Sequence, residues 1–387
     1  MRDQFIKNVI EECDNLIKIL QSAQHLEEVS IKAVEKIISK GEKLSCFFMA
    51  ALLQDCGVMA QYIDLSCAMG LDTLTELNES ALTQIANVFA KQVYDCGDSV
   101  PVITGYFGNI PGGLLSSIGR GYTDLCAALV AVGLQAYELQ IWKEVDGIYT
   151  ADPRKVPTAR LLSSITPSEA AELTFYGSEV IHPFTMERVM KAKIPIRIKN
   201  VNNINAKGTA IIPDNAESRD LVRRKSQFSH IGSLGAAPHP ASRPKRPTAV
   251  TIKHNIVLLN VRSNKRTRAH GFLLGIFSIL DRWHLSVDLI SSSEVLVSMA
   301  LQSDLPQLAD TGVKLNPAQH KNLHGAVADL GRYGVVDVIS DMAIVSLVGM
   351  QLKNMIGISG KLFTVLGDNN INIEMISQGK KLSCRRL

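Results

Sequence analysis

The sequence predicts an α/β protein in which a mostly parallel sheet with helices on both faces is followed by two smaller α+β domains. Three observations predict this fold. Short apolar runs alternate with helical patterns in the first part, a proline-rich stretch follows Pro213, and a pattern in the C-terminal part recurs 86 residues later. The 387 residues suffice for two or three domains, each with its own core.

The first part opens with helical patterns. Apolar residues recur at helical spacing over residues 6–20, so the chain starts in an amphipathic helix. We expect a second helix over residues 26–38 and an interruption at Gly41 and Glu42. A third helix ends near Gly57. Beyond it, apolar runs and helical stretches alternate, which is typical of a parallel sheet covered by helices. The expected strands are residues 58–65, 100–104, 137–142 and 194–198, and the expected helices are residues 81–94 and 123–134.

The composition changes after Pro213. Residues 219–225 are basic, and residues 232–247 are rich in alanine, glycine and proline, which predicts a linker. The predicted organisation is a first domain over residues 1–213, a linker over residues 214–249 and a pair of domains over residues 250–387.

The C-terminal part contains an internal repeat. Gly271 aligns with Gly357, and the run SVDLIS at residues 286–291 aligns with NIEMIS at residues 372–377. Each copy reads as a strand, a helix started by glycine, and a second strand. Because the repeat is long and occurs twice, it predicts two copies of a small α+β domain rather than a solenoid.

Composition and charge exclude several classes of protein. Apolar residues make up 46% and charged residues 20%, as in an ordinary globular protein. A net charge of +4 is too small to indicate a nucleic-acid partner. The chain has no apolar run of membrane-spanning length and starts too charged for a secretory signal, so we expect no membrane partner. The seven cysteines have no metal-ligand or redox spacing, which indicates a reducing, cytoplasmic location and no cysteine metal site.

The densest group of unusual residues lies between a predicted strand and a predicted helix. It reads TGYFG, then PGG, then GRGYTD, and glycines allow a backbone to approach a ligand closely. Thr123 and Asp124 begin the helix, where free N–H groups favour an anion, and Arg120 adds a positive fork. The loop suits a ligand with a carboxylate or phosphate and an amine or metal. A flexible loop with an aspartate cap explains the spacing equally well, so the residues alone leave both interpretations open.

A second polar turn, WKEVDGIYTADPR, covers residues 142–154. It follows a predicted strand and combines an aromatic ring with a cation and carboxylates. Such a group at the carboxyl end of a strand suits a nucleotide at the mouth of an open sheet. A surface turn with ion pairs is an equally good interpretation of the bare pattern.

Further segments extend these two. KGEKLS at residues 40–45 and the long run ITPSEAAELTFYGSEVIHPFTMERVMKAKIPIRIKN accompany GRGYTDLCAAL and WKEVDGIYTADPR. In this order and spacing they resemble the aspartate kinases, most closely the fungal type, of the amino acid kinase superfamily. Residues 250–379 resemble the paired ACT regulatory domains of that family. The resemblance covers nearly the whole chain and implies an amino acid kinase fold followed by two ACT domains.

The resemblance also implies a reaction. The γ-phosphoryl group of ATP passes to the β-carboxylate of L-aspartate with Mg²⁺, giving 4-phospho-L-aspartate and ADP, the first step in making threonine, methionine and lysine. Arg120 and Asp124 are the implied catalytic residues: Arg120 grips an aspartate carboxylate, and Asp124 orients the substrate ammonium or a lysine that faces the phosphates. The implied substrate-binding residues are Glu42, Tyr106, Arg120, Thr123 and Asp124.

Other positions match the family's ATP-binding strand and turn. The implied ATP-binding residues are Lys143, Glu144, Tyr149 and Arg154, and no residues of the chain are assigned as metal ligands. Glu179 stands where many bacterial relatives have a lysine near the nucleotide, so its role stays open. His182 and Pro183 match a family landmark that we interpret as packing.

In the ACT pair, the resemblance implies a feedback site for an amino-acid effector. Its lining residues are Val287, Asp288 and Glu294, with threonine the favoured effector. Strand core for Val287 and solvated polar positions for the two acidic residues remain the alternative. Paired ACT domains also imply a homodimer or a higher homo-oligomer.

Both ends of the sequence depart from the family. The family's first strand carries Lys-Phe-Gly-Gly-Thr-Ser, whose lysine faces the transferring phosphoryl group, and this sequence does not contain it. After residue 379 the chain also differs from its relatives. We interpret the chain as truncated at both ends and expect negligible turnover by this chain alone, because one preorganised charge partner is worth on the order of 10²–10³ in rate. Acyl phosphate trapped with hydroxylamine checks this.

Two alternatives to an active aspartate kinase follow. The first is a catalytically inactive, truncated form that serves as an amino-acid-binding regulatory or oligomerisation module. The second is another carboxylate kinase, such as a glutamate 5-kinase. It is the weaker one, because those relatives have no tandem ACT repeat.

Overall fold

A computed structural model describes residues 2–67, 77–108, 113–114, 118, 121–175, 181–213, 246–263, 271–293, 295–302, 317–349 and 352–377. These residues form two compact units. The first contains the described parts of residues 1–148, 161–174 and 179–234, and the second those of residues 149–160, 175–178 and 235–387. Most of the predicted linker, residues 214–245, lies outside the described residues. Within the described part of the chain, every helix is too short or too polar to cross a lipid bilayer.

Two long helices open the first unit, α1 (Arg2–Leu26) and α2 (Ile31–Asp55). The Ser30 hydroxyl caps α2 by accepting a hydrogen bond from the Ala33 N–H at 3.2 Å. The predicted interruption at Gly41 and Glu42 is wrong, because α2 continues through both. A glycine inside a helix costs only about 1 kcal/mol relative to alanine. Packing of α2 against α1 and the next two strands offsets that cost.

Those strands form a two-stranded parallel sheet. β1 (Ala60–Ile63) pairs with β2 (Val100–Ile103), and α3 (Glu79–Tyr94) connects them. The next helix, α4 (Tyr122–Gly133), packs against α3. Fully buried side chains from α3, α4 and the loop after β2 make the core of this region; they include Phe89, Phe107, Leu125 and Leu129.

A second sheet of the first unit has the strand order β3-β5-β6-β4. It comprises β3 (Leu139–Lys143), β4 (Ser164–Ile165), β5 (Ile196–Asn200) and β6 (Thr209–Ile211), and it is accompanied by α5 (Pro167–Phe175) and α6 (Pro183–Lys191). β3 and β5 are parallel, as are β4 and β6, whereas β5 and β6 are antiparallel. The connection over residues 201–208 is too short for the crossover that a parallel pair requires. The predicted α/β class is confirmed; the described residues of the first unit form two sheets, one parallel and one mixed.

The second unit is built on one antiparallel sheet with the order β10-β7-β9-β8. Its elements are β7 (Ala249–Ser263), α7 (Phe272–Arg282), β8 (Val287–Ser292), β9 (Leu296–Gln302), α8 (Pro317–Leu330), β10 (Gly334–Val348) and α9 (Ile358–Asp368). Leu259, Ile276 and Met299 lie in its core and are fully buried.

The predicted repeat is visible in two helices of equal length. Gly271 (φ 83°) and Gly357 (φ 77°) precede α7 and α9, and both glycines adopt the left-handed conformation that other residues rarely reach. The strand predicted for the end of the second copy is wrong, since residues 371–377 form no strand. β8 pairs with β9, but residues 371–377 have no paired strand among the described residues, and strands need such partners.

Candidate active site

The Glu42 carboxylate is the point at which three elements of the first unit meet. Glu42 lies on α2, and its Oε2 accepts a hydrogen bond at 2.9 Å from the backbone N–H of Tyr106, just after β2. Its Oε1 accepts a hydrogen bond at 2.7 Å from the hydroxyl of Tyr122, the first residue of α4. The carboxyl end of a parallel strand thus faces the start of a helix, an arrangement typical of ligand sites in α/β folds.

Gly105 lets these elements come close. A Cβ atom at this position would lie 3.0 Å from Glu42 Oε2 and 2.7 Å from Thr123 Cγ2. Thr123 therefore lies beside the backbone at Gly105, as Glu42 does. Thr123 and Asp124 lie in the first turn of α4 and are both partly buried, so the predicted helix start is confirmed.

The structure thus brings Glu42, Tyr106 and Thr123 together, and Asp124 follows in the same helical turn. Arg120 precedes α4 by two positions and lies outside the described residues.

Two tyrosine rings form one wall beside Glu42. Tyr106 and Tyr122 are 7% and 5% exposed, and their rings meet edge to face with centroids 6.3 Å apart. Burial, with Glu35 adding to it, raises the pKa of Tyr106 to about 12. Burial and the hydrogen bond to Glu42 raise the pKa of Tyr122 above its ordinary range. Both phenols therefore stay protonated at neutral pH and act as neutral groups.

A charged network that sequence reasoning missed lies at the end of β1. Lys43 Nζ is 2.6 Å from Glu12 Oε1 and 3.0 Å from Asp64 Oδ2, and Lys40 also contacts Glu12. Burial acts to raise the pKa values of Glu12 and Asp64, but hydrogen bonds outweigh it, from Lys40 and Lys43 to Glu12 and from Ser66 and Lys43 to Asp64, so both values lie below the ordinary range. The spacing of the lysines in KGEKLS was the available signal, since residues three apart share a helix face.

Two thiols fix the carboxyl end of β2. The Cys46 Sγ donates to the Ile103 carbonyl at 3.4 Å, and the Cys126 Sγ donates to the Thr104 carbonyl at 3.5 Å. Burial raises the pKa of both thiols, so neither is an activated nucleophile. Their contacts indicate a structural role beneath the Glu42 site.

The predicted ATP-binding turn begins at the end of β3 and is firmly held. Asp146 Oδ1 accepts hydrogen bonds from the side-chain amides of Asn200 at 2.9 Å and Asn203 at 3.3 Å. Gly147 has a φ of 143°, and a Cβ atom there would lie 2.4 Å from Thr209 Oγ1, so only glycine fits. The turn is therefore fixed to β5 and β6.

Two of the predicted ATP-binding residues start this turn. Lys143 ends β3 and is partly buried, and Glu144 follows it and is exposed.

Comparison with known proteins identifies the family. The family model described as the amino acid kinase family matches residues 5–200, and an ACT domain model matches residues 345–384. The chain is 50% identical to the aspartokinase of Candida albicans over 98% of its own length and 69% of that relative's length. The chain belongs to the aspartokinase family. This confirms the family predicted from the sequence motifs, and with it a kinase that uses ATP.

Solved structures agree with this family. The aspartokinase chain superposes on Escherichia coli aspartokinase III in complex with aspartate and ADP with a TM-score of 0.71, at 27% identity, over 97% of this chain and 75% of the other. It matches the same protein in complex with lysine and aspartate with a TM-score of 0.70, at 26% identity, over 98% and 76% of the two chains.

The remaining predicted ATP-binding residues of this aspartokinase, Tyr149 and Arg154, belong to the second unit. Arg154 forms a two-pronged ion pair with Asp152, Nε to Oδ1 at 3.2 Å and Nη2 to Oδ2 at 3.3 Å, and its side chain is 89% exposed. In the same segment the Thr150 carbonyl accepts a hydrogen bond from the Val250 N–H at 2.9 Å. The segment is therefore tied to the start of β7.

Two of the three predicted effector residues, Val287 and Asp288, begin β8. Val287 packs against the core of the second unit, and Asp288 forms an ion pair with Lys253 of β7, Nζ to Oδ2 at 2.7 Å. Glu294 lies outside the described residues. Asp288 therefore already has a cationic partner within the second unit.

The family landmark at His182 lies next to the start of α4. His182 precedes α6, with Pro183 as the first helical residue. A Cβ atom at Gly121 would lie 2.7 Å from the imidazole ring of His182, so the ring covers the residue before α4. Glu179 lies outside the described residues.

Proposed function

We propose that the reaction of this aspartokinase family member is transfer of the γ-phosphoryl group of ATP to the β-carboxylate of L-aspartate, and that the amino acid binds beside Glu42. The observation that carries the proposal is the meeting of Glu42 with Tyr106 and with the start of α4. Among the described residues, each Glu42 oxygen has one protein donor, and a carboxylate oxygen has a second acceptor position that suits a substrate ammonium. The first turn of α4 supplies N–H groups, which favour a substrate carboxylate. An amino acid needs both kinds of partner.

The catalytic roles fall to residues around that helix start. We assign Arg120 the grip on an aspartate carboxylate, because a guanidinium binds carboxylates with two parallel hydrogen bonds. Asp124 orients the substrate ammonium or a lysine that faces the phosphates, and Thr123 completes the pocket. Phosphoryl transfer depends on positioning and on neutralising charge, and these side chains suit both tasks.

ATP is assigned to Lys143, Glu144, Tyr149 and Arg154. The support from the first unit is the fixed turn after β3, which presents a cation and a carboxylate at the carboxyl end of a strand. Mg²⁺ neutralises charge on the phosphate oxygens when it is bound. It is usually held by one or two carboxylates together with substrate phosphates, so a dedicated cage of protein ligands is not required.

Regulation is assigned to the second unit. An amino-acid effector, with threonine favoured, binds at Val287, Asp288 and Glu294. The partly buried Asp288 carboxylate supports this, since it already holds one ammonium group, that of Lys253, and an effector ammonium has the same chemistry. We further propose a homodimer or higher homo-oligomer formed through the ACT domains.

The test measures binding and turnover separately. Calorimetry gives the Kd values of L-aspartate and ADP, and hydroxylamine trapping detects acyl phosphate. Glu42→Gln removes the charge but keeps the side-chain shape, so we expect the Kd of L-aspartate to rise about tenfold or more while the Kd of ADP is unchanged. Glu11→Gln, at an exposed position of α1, is the matched control. Unaltered aspartate binding by Glu42→Gln contradicts the proposal.

A further inference from the structure

Tyr122 is the residue of the Glu42 site to which the sequence motifs assign no role. Its hydroxyl donates to Glu42 Oε1 at 2.7 Å, while the backbone of Tyr106 holds Oε2 at 2.9 Å. The two donors come from different elements, α4 and the loop after β2. Together they hold both oxygens of one carboxylate.

We propose that Tyr122 is a positioning residue that fixes the Glu42 carboxylate in the orientation that receives the substrate ammonium. The inference rests on the proposed function of Glu42. A glutamate side chain has several rotatable bonds, and holding both of its oxygens removes that freedom before the substrate arrives. Such preorganisation strengthens binding without adding a contact to the substrate.

The surroundings of Tyr122 suit this task. Its ring is 5% exposed and packs edge to face on Tyr106, so the phenol has one orientation. Its helix, α4, is anchored against α3 and α6. The raised pKa keeps the hydroxyl protonated, so it remains a donor.

Gly105 lets the same carboxylate lie close to the backbone that follows β2. The position that a Cβ atom would occupy there lies 3.0 Å from Glu42 Oε2. Within the part of the chain that the structure describes, each oxygen accepts one hydrogen bond from the protein, and a carboxylate oxygen can accept a second. The Tyr122 hydroxyl and the Tyr106 N–H therefore orient the Glu42 carboxylate and leave it able to accept a hydrogen bond from a ligand.

The test is a double-mutant cycle on the Kd of L-aspartate in the presence of ADP, using Tyr122→Phe, Glu42→Ala and the double variant. Loss of a hydrogen bond to a charged group predicts a rise of about tenfold in this Kd for Tyr122→Phe. The Kd of ADP stays at the parent value. In the Glu42→Ala background, Tyr122→Phe has no further effect, because the two residues act as one unit.

A second tyrosine variant serves as the control for Tyr122→Phe. Tyr94→Phe removes a hydroxyl from a side chain that is 67% exposed at the end of α3, and it leaves both Kd values unchanged. The inference is overturned if Tyr122→Phe does not alter aspartate binding, weakens ADP binding equally, or acts as strongly without Glu42. If Glu42→Ala itself binds L-aspartate like the parent, the proposed function fails, and the role of Tyr122 fails with it.

Discussion

Lys253 and Asp288 form an ion pair that is almost enclosed in the second unit. Nζ and Oδ2 are 2.7 Å apart, and the two side chains are only 12% and 11% exposed. In the sheet, β9 lies between β7 and β8. The pairing of β7 with β9 begins only at Ile256, so Lys253 belongs to a part of β7 that β9 does not pair with. A carboxylate assigned to effector binding is thus neutralised by the protein itself.

Removing one partner of this pair should destabilise the second unit. We expect Lys253→Met to lower the free energy of unfolding by up to about 3 kcal/mol, because it leaves a largely enclosed carboxylate without its cation. The double variant Lys253→Met/Asp288→Leu should recover most of this loss, since an apolar pair of similar volume often replaces a buried ion pair at little cost. Urea denaturation of the three proteins gives the comparison. A single variant as stable as the parent would contradict the expectation.

The same ion pair predicts that the ammonium group of an effector competes with Lys253 for Asp288. The ammonium of a bound amino acid must share or displace Lys253 to reach Asp288. We therefore expect threonine at saturation to raise the Tm of Lys253→Met by more than it raises the Tm of the parent. Lys361→Met, at an exposed position of α9, should respond to threonine as the parent does. An equal or smaller shift for Lys253→Met argues against Asp288 as an effector ligand.

Much of this architecture could be predicted because its signals are local. The helix at residues 79–94, the strand at residues 100–103 and the helix start at Thr123 follow from hydrophobic spacing and capping patterns. The helix through Gly41 was missed because a single glycine is a weak break that tertiary packing overrides.

The candidate site was only partly predictable, because its contacts are not local in the sequence. Its contacts join residues far apart in the chain: Glu42 meets Tyr122 across 80 positions. The family motifs identify Glu42 and Thr123, but no pattern along the chain pairs Lys43 with Glu12, or Tyr122 with Glu42. Such pairs depend on how α2 packs against α1 and against the two strands β1 and β2.

Two glycines should respond in opposite directions to alanine. Gly105→Ala places a Cβ atom 2.7 Å from Thr123 Cγ2, which forces a shift that we expect to cost about 1–3 kcal/mol and to weaken aspartate binding. Gly41→Ala meets no atom within 4 Å on the exposed side of α2, and we expect it to stabilise the protein by about 0.5–1 kcal/mol. Thermal unfolding and calorimetry with L-aspartate check both. A Gly105→Ala variant as stable as the parent, or more stable, would show that the close approach at Gly105 is unimportant.

The Glu12–Lys43–Asp64 network predicts a loss of stability in acid. The pKa values of Glu12 and Asp64 are lower in the folded protein than in the unfolded chain. The stability that these two carboxylates contribute is therefore fully present above about pH 4–5, and it is lost as the pH falls through their lowered pKa values. The pKa of Lys43 is raised, since its hydrogen bonds to Glu12 and Asp64 outweigh burial. Its contribution is present below about pH 10 and is lost only in stronger base.

Lys43→Met tests this directly, because it removes the cation that both carboxylates share. We expect a loss of about 2 kcal/mol in the free energy of unfolding at pH 7. The difference from the parent should shrink as the pH falls from about 5 to 3, since protonated carboxyls no longer need the lysine. Urea midpoints measured across that range give the curve, and Lys36→Met, at an exposed position of the same helix, is the control. A difference that stays constant with pH would mean that Lys43 stabilises the fold by packing rather than by charge.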